Sequence, residues 1–300
     1  MLPTDSDDKI KNIYIVIPVF NRREITLNCL ALINKQSYNH LNVVVVDDGS
    51  TDGTTNAIRE NFPKTHIVKG NGNWWWTKSV NEGCKYALLE GAEAIVLMND
   101  DVRFDTDYFQ KLIDTVNLYP GSIMGSISLT VEKPHKIFFS GIKGRNCFTA
   151  KATKYHKQFE TYDKDRVNGV HKTHVLPGRG LYIPSHVFDK IGFFNEKKLP
   201  QYFADFDFTN RAKRNGINVY INWDLIIYSF WKDTGKGALY VKQKFIDFLI
   251  AFTNKYSHRS VRAVFYYFKA SCPWYLLPFM LLNHHLRVFY SYFKKRNSIL

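Results

Sequence analysis

Residues 41–54 read LNVVVVDDGSTDGT. An unbroken apolar run ends in two aspartates, then in Gly, Ser, Thr, Asp and Gly, all turn formers. A short strand buried on both faces would look like this, running into a polar loop at its carboxyl end. The pattern occurs twice more. Ile13–Val19 (IYIVIPV) runs into Phe20 and Asn21, and residues 94–98 (AIVLM) run into Asn99, Asp100 and Asp101. Between these strands, Arg23–Asn34, Thr54–Asn61 and residues 77–89 carry apolar side chains at helical spacing, and residues 65–69 supply a third strand. Strand and helix alternate through residue 118. The reading is therefore α/β, built from βαβ units with a mostly parallel central sheet.

In such sheets ligands bind beyond the carboxyl ends of the strands, and the polar clusters fall at those ends. Asp and Asn are also ordinary turn and cap residues, and Asp52 or Thr51 is expected to do only that. Three clusters at one edge point instead to a site. A carboxylate there can accept an N–H from a pyrimidine base or a ribose hydroxyl. Asp101, with Asn99 two residues before it, offers hard oxygen to Mg²⁺ or Mn²⁺, which bind through one or two carboxylates plus substrate phosphates. Together they suggest a nucleotide diphosphate held by Asp48 at one end and by a metal on Asp101 at the other. Neither a Walker sequence nor a GxGxxG follows the first strand, so P-loop and dinucleotide readings lack their glycines.

Beyond residue 121 the pattern loosens. Residues 123–129, 137–139, 181–183 and 219–222 read as strands, residues 187–191 and 206–214 as helices, and residues 143–172 as a polar excursion or flexible loop. At 300 residues and 45% hydrophobic the chain can bury a large core. Its four cysteines (Cys29, Cys84, Cys147, Cys272) show no CxxC spacing, which excludes a disulfide-stapled secreted scaffold or a zinc ribbon and favours a reducing compartment. Residues 1–12 are polar and acidic, unlike a signal peptide. The longest apolar stretch, residues 270–282, contains Pro273 and Pro278 and is too short to span a bilayer.

The strings IVIPVFNRRE (15–24), VVVVDDGSTDGT (43–54), NGNWWWTKSVNEG (71–83), LMNDDV (97–102), PGRGLYIPSHVFDKIGFFNE (177–196) and LPQYFADFDFTNRAKRNG (199–216) resemble, in that order, the family-2 inverting glycosyltransferases. These include bacterial surface-polysaccharide enzymes such as rhamnosyl- and galactosyltransferases. The resemblance implies a GT-A, Rossmann-like nucleotide-sugar-binding domain over residues 13–235, with a nucleotide half (13–120) and an acceptor half (121–235). It also implies a nucleotide pocket of Pro18, Phe20, Asn21, Asp48, Asn99 and Asp100, with Asp48 on a uracil or thymine base. Asp101 matches the last carboxylate of the metal-binding Asp-x-Asp, whose first position is Asn99 here. Asp205 matches the general base, although Ala204 replaces the usual neighbouring Glu. Trp76, Lys78, Gly178, Arg179, Gly180 and Arg211 are the candidates for contact with donor or acceptor, and Arg214 matches a further basic position. The family's additional metal-ligating His has no counterpart in Tyr228–Asp233, which leaves the third ligand open. The implied reaction moves a sugar from a UDP- or dTDP-sugar to a hydroxyl of a glycan or polyprenyl-linked saccharide, at the inner face of the cell membrane. A weakened, binding-only homologue is the alternative that Asn99 and Ala204 raise.

The net charge is +14, and aromatic residues make up 16% of the chain. From Trp231 onward, twelve Lys/Arg face two Asp, so +10 of the charge lies in the last quarter. Residues 236–300 read as a basic, aromatic, helical region. Lys and Arg interleaved with Phe, Tyr and Trp suit helices lying on an anionic membrane surface. Packing of those helices on the core or on a second subunit fits equally well. A basic isoelectric point also invites nucleic acid, but no nucleic-acid-binding motif is present and none is expected as a partner.

Overall fold

The computed structural model describes residues 12–230 and 244–297. Its strands are β1 (Ile13–Val19), β2 (Leu41–Asp47), β3 (His66–Lys69), β4 (Ala94–Leu97), β5 (Val102–Arg103), β6 (Ile123–Thr130), β7 (Ile137–Phe139), β8 (Ile142–Asn146), β9 (Lys151–Lys154), β10 (Val170–Lys172), β11 (Leu181–Pro184) and β12 (Val219–Ser229). The helices are α1 (Arg23–Asn34), α2 (Thr54–Asn61), α3 (Trp75–Leu89), α4 (Tyr108–Leu118), α5 (Ser185–Ile191), α6 (Ala204–Arg214), α7 (Phe245–Thr253), α8 (Val261–Ser271) and α9 (Leu277–Asn297), with a 3₁₀ turn at Trp274–Leu276 before α9.

The central sheet runs β10-β12-β6-β11-β4-β1-β2-β3, with β5 on β12 and β7 on β6. The β1, β2, β3 and β4 pairings are parallel, as is β6 with β12. Alternate residues of the apolar strands enter opposite layers. Val16, Val44 and Val46 pack under α3 and α6 with Val80, Cys84 and Phe208, while Ile15, Ile17 and Val45 pack under α1 and α4 with Leu30, Ile33 and Leu112. Burying each such side chain is worth about 1.5–3 kcal/mol, so a register slip in β1 would cost both layers at once.

That register positions the site. Val19 pairs with Asp47, so Phe20 and Asn21 emerge beside Asp48. Met98 N–H reaches the Val16 carbonyl, which brings Asn99–Asp101 to the same edge. Strand β11 runs antiparallel to β4, with Leu181 opposite Leu97, so the preceding Gly178–Gly180 lies at that edge too.

Several elements depart from the expected pattern. The 143–172 stretch holds the β8–β9 hairpin and β10. Its strands carry Lys, Thr and His rather than an apolar run, and pairing with a partner strand supplies what local sequence does not signal. Strand β12 continues past Asn222 to Ser229 through a register shift. Cys147, just after β8, is disulfide-bonded to Cys272 at the end of α8 with a Cα–Cα distance of 5.8 Å, whereas Cys29 and Cys84 are buried thiols. The proposed boundary near residue 235, the leader up to residue 11 and residues 231–233 lie outside the described residues.

Part of the C-terminal region packs on the core. Tyr267 of α8 stacks on Phe203 with ring centroids 5.0 Å apart, and Asn210 of α6 donates to the Ala270 carbonyl at 2.6 Å. Val264, Tyr267, Phe268, Cys272 and Met280 form a small core of their own. Elsewhere this region leaves large apolar side chains in solvent: Trp274 is 77% and Tyr275 60% exposed, and Phe279, Leu282, Leu286 and Phe293 follow along α9. Among the described residues no helix is long and apolar enough to cross a membrane.

Candidate active site

The end of β1 is built to hold a loop open. Asn21 adopts φ +50°, a left-handed conformation that Asn tolerates better than most residues. Its side-chain oxygen accepts the Thr51 N–H at 2.7 Å, and its own N–H donates to Ser50 Oγ at 2.9 Å. Pro18 is half-buried beneath it, and Phe20 is 50% exposed, leaving a ring face open to solvent.

The two aspartates of β2 have different partners. Asp47 accepts from Ser50 N–H and from the Thr55 hydroxyl. Asp48 is buried and accepts three backbone N–H groups, from Gly72 at 2.9 Å, Trp74 at 2.8 Å and Trp75 at 3.0 Å. It therefore holds the turn that starts α3, where Lys78 lies 5.1 Å from the Trp74 ring. One lone pair on Asp48 Oδ1 remains for a ligand, since that oxygen takes a single bond in the structure. Asp52 is a loop fastener as expected, accepting Thr54 N–H at 3.1 Å and Arg23 N–H at 3.0 Å.

At the end of β4, Asn99 Oδ1 lies 3.4 Å from the indole N–H of Trp76. Asp100 is buried, with Arg22 at 2.8 Å and the Thr26 hydroxyl at 3.3 Å. Burial raises its pKa to about 6, Arg22 opposes that shift and Asp101 adds to it. Asp101 is buried as well. Its Oδ2 is 3.5 Å from Arg22, while its Oδ1 has no hydrogen-bond partner. A buried carboxylate oxygen left without a partner is costly unless a ligand completes it. Among the described residues there is no group of three or more His, Cys, Asp or Glu placed to hold a metal. Asp101, with Asn99 and Asp100 beside it, instead offers the sparse oxygen set that suits Mg²⁺ or Mn²⁺ shared with phosphates. The motif reading does not single out Arg22, which follows Asn21 in the loop between β1 and α1.

The opposite wall comes from the loop before β11 and the start of α6. Asp205 lies in the first turn of α6, where the helix dipole favours a carboxylate, and its Oδ2 accepts Gly178 N–H at 3.0 Å. The Trp76 ring occupies the space a Gly178 side chain would need, 2.3 Å from an added Cβ, which makes glycine obligatory there. Trp76 N–H donates to Gln201 Oε1 at 2.9 Å, so this tryptophan joins Asn99, Gly178 and the segment before α6. Arg179 donates to Ser229 Oγ at 2.8 Å and lies 5.4 Å from the Phe138 ring. Burial lowers its pKa, and the nearby Asp101 and Asp205 carboxylates counteract that. It is thus a cation near enough to Asp101 and Asp205 to be influenced by both carboxylates.

Two expected site residues are occupied elsewhere. Arg211 pairs with Asp207 at 2.9 Å and donates to the Ile191 and Phe193 carbonyls at 2.6 and 2.8 Å, so its guanidinium clamps the end of α5 to α6. Gly180, at φ +65°, is hemmed in by Ile227, Tyr108 and Ser126, where an added Cβ would come within 2.2–2.8 Å. Its requirement is interior packing. Asn99, Asp100, Asp101, Trp76, Gly178, Arg179 and Asp205 are brought together, with Phe20, Asn21 and Asp48 at the adjoining strand ends.

The sequence profile described as Glycosyl transferase family 2 matches residues 14–172, more than half of the chain. The chain belongs to glycosyltransferase family 2. It is 27% identical over 216 residues to the dTDP-rhamnosyl transferase RfbF of Shigella flexneri, a match covering 71% of this chain and 67% of that protein. An uncharacterised glycosyltransferase of Rickettsia typhi is 26% identical over 72% of this chain and 62% of its own length. Among solved structures, residues 1–349 of Staphylococcus aureus TarS in complex with UDP align at TM-score 0.52 and 16% identity, over 73% of this chain and 60% of that one. The mannosyltransferase PcManGT of Pyrobaculum calidifontis, in complex with GDP-Man and Mn²⁺, aligns at 0.56 and 16%, over 91% and 68%. These likenesses establish the GT-A fold for this family-2 chain, with a mostly parallel sheet and C-terminal helices.

Proposed function

We propose that this glycosyltransferase is metal-dependent and inverting, and that it moves a sugar from a UDP- or dTDP-sugar to a hydroxyl of a glycan or polyprenyl-linked saccharide in surface polysaccharide assembly. The observation that carries the reading is the pair of carboxylates at this edge that both act on Arg179: Asp101, with its unpartnered buried oxygen, and Asp205, at the dipole-stabilised start of α6. The rhamnosyl transferase relative supports a dTDP donor, and the TarS complex supports UDP as the other candidate.

Phe20 stacks on the base, and Asp48 accepts its imide N–H through the free lone pair on Oδ1. Asp101, with Asn99 and Asp100, would hold Mg²⁺ or Mn²⁺, which when bound would supply Lewis-acid stabilisation of the departing diphosphate. Arg22, released from the acidic pair, and Arg179 add positive charge on the leaving-group side. Asp205 accepts the acceptor's hydroxyl proton as that oxygen attacks the anomeric carbon from the face opposite the nucleotide, which inverts the centre. Gly178 N–H orients the Asp205 carboxylate, and Trp76 offers an apolar plate against which a sugar ring can lie.

The outward apolar side of the 3₁₀ turn and α9 faces an anionic membrane surface. Its large apolar side chains recur at three- and four-residue spacing, and the segment from Trp231 carries twelve Lys/Arg against two Asp. On this reading the enzyme works on the cytoplasmic side, next to a lipid-linked acceptor. Because α8 is packed on α6, the test is surface substitution in the full chain. Leu282→Ser/Leu286→Ser should weaken binding to anionic vesicles severalfold, and unchanged binding would remove the membrane assignment.

The catalytic assignment is tested by Asp205→Asn. It should cut transfer by about 10²–10⁴-fold while leaving UDP or dTDP binding, read by calorimetry with Mn²⁺, nearly intact. Loss of nucleotide binding would refute the base role. A folded wild-type protein that binds neither nucleotide would refute the transferase reading itself.

A further inference from the structure

A second set of charged groups lies outside the candidate active site, where β8, α6, α8 and α9 meet. A cleft there is lined by Arg145, His174, Asn210, Tyr267 and Ser271. Arg145 donates to the Ala150 carbonyl at 3.1 Å and to the Tyr267 hydroxyl, and its guanidinium lies 4.9 Å from the Tyr267 ring and 5.4 Å from that of Phe268. His284 of α9 packs on the same Phe268, with ring centroids 5.4 Å apart. The charges around the cleft act on one another. His174 feels Lys213 and Arg145, His284 feels His285, Arg287 and Arg145, and Arg287 feels Arg145. After burial, these neighbours are what lower each pKa, and no carboxylate contributes at His174, His284, Arg287 or Lys213. Among the described residues, none of Arg145, His174, Lys213, His284 and Arg287 forms an ion pair.

With its pKa lowered to about 4, His284 is a neutral imidazole at pH 7, while the cations Arg145, Lys213 and Arg287 repel one another unless an anion offsets them. The side chains present favour an oxyanion with several acceptor oxygens. Arg145 keeps unused N–H donors beyond its two bonds, in the forked geometry that matches phosphate, and two further cations follow one helical turn on, the exposed Lys213 after Asn210 and the half-buried Arg287 after His284. We propose that this cleft is a phosphate-binding site, separate from the donor nucleotide pocket, that takes a phosphate ester or diphosphate.

Its position suggests whose phosphate it is. Helix α6 carries Asp205 in its first turn and Asn210 and Lys213 further along, and Tyr267, which receives the Arg145 bond, is close enough to Asp205 for that carboxylate to raise its pKa. A phosphate anchored here would belong to a molecule that also reaches the base, as the phosphate of a lipid-linked or phosphorylated saccharide acceptor does. This last step rests on the transferase reading, whereas the anion site itself does not.

The test uses the full chain in EDTA, which removes any metal-dependent binding at Asp101. Inorganic pyrophosphate is titrated by calorimetry into wild type and into Lys213→Gln/Arg287→Gln, with Arg145→Gln as a second variant. Binding to wild type that falls about tenfold or more in the rim variant supports the site. No binding to wild type, or equal binding to the rim variant, overturns it. Flotation with phosphatidic acid vesicles against phosphatidylcholine vesicles separates the sources. Variant-sensitive binding to phosphatidic acid in addition to pyrophosphate assigns the phosphate to a lipid, and variant-sensitive binding to pyrophosphate alone assigns it to a soluble ester. Mn²⁺-dependent UDP or dTDP binding, measured on the same variants, should be unchanged. That control shows the variants are folded, and its absence in wild type would count against the donor reading alone.

Discussion

The ends of β2 and β4 present nearly the same sequence, Asp47-Asp48 and Asp100-Asp101, at the same edge of the same sheet, yet the two pairs are used differently. Asp48 accepts two backbone N–H groups on Oδ2 and a third on Oδ1, and so fixes the turn that leads into α3. Asp101 faces one guanidinium at 3.5 Å and keeps an oxygen without a partner. A carboxylate whose bonds are made within the fold contributes to stability, and one whose bonds are unmade is available to a ligand. The difference between a fastening residue and a binding residue therefore lies in what surrounds the carboxylate, with the residue type unchanged.

The largest test of this contrast is Asp48→Ala, which leaves three N–H groups of the 72–75 turn without an acceptor. It should lower unfolding free energy by about 2–4 kcal/mol, read by chemical denaturation. A loss below about 0.5 kcal/mol would mean that the turn holds without it. Asp101→Asn should do the reverse. Stability should stay within about 0.5 kcal/mol of wild type, while Mn²⁺-dependent binding of UDP or dTDP falls about tenfold or more. Equal nucleotide binding would remove Asp101 from the metal assignment.

The smallest effect concerns Arg22. The Asp100 carboxyl is raised from 3.8 to about 6 in the fold, so the folded state holds its proton more tightly than the unfolded chain does. This group's contribution to stability is full below about pH 4 and is lost as pH rises through about 6. Arg22→Gln removes the cation that limits that loss. The variant should match wild type near pH 5 and fall below it by about 1 kcal/mol near pH 8, in metal-free buffer. A deficit that is the same at both pH values would show that Arg22 acts through packing instead.

Much of the stretch from residue 13 to residue 118 could be read in the sequence because its signals are local. Apolar runs at residues 13–19, 41–46 and 94–98 identify strands buried on both faces, and the turn residues that follow mark the carboxyl edge where a site forms. The chain beyond residue 121 was less legible. The β8–β9 hairpin has no apolar alternation, and its Cys147 meets Cys272 across 125 residues. Arg211 and Gly180 carried motif signals but are committed to a helix clamp and to interior packing. Arg22 carried none of its own, yet it pairs with the acidic cluster.

The sequence by itself determined the alternation of strand and helix, the parallel sheet and the edge at which polar residues gather, since each depends on residues within one element or its adjoining loop. Only the tertiary structure decided which carboxylates are occupied. The N–H groups that bond Asp48 are 24–27 residues away, the cation beside Asp100 and Asp101 arrives from the loop between β1 and α1, and the cationic cleft draws on β8, α6 and α9. A hydrogen bond or a charge acts over a few ångströms of space, and sequence spacing does not report that distance until the chain has folded.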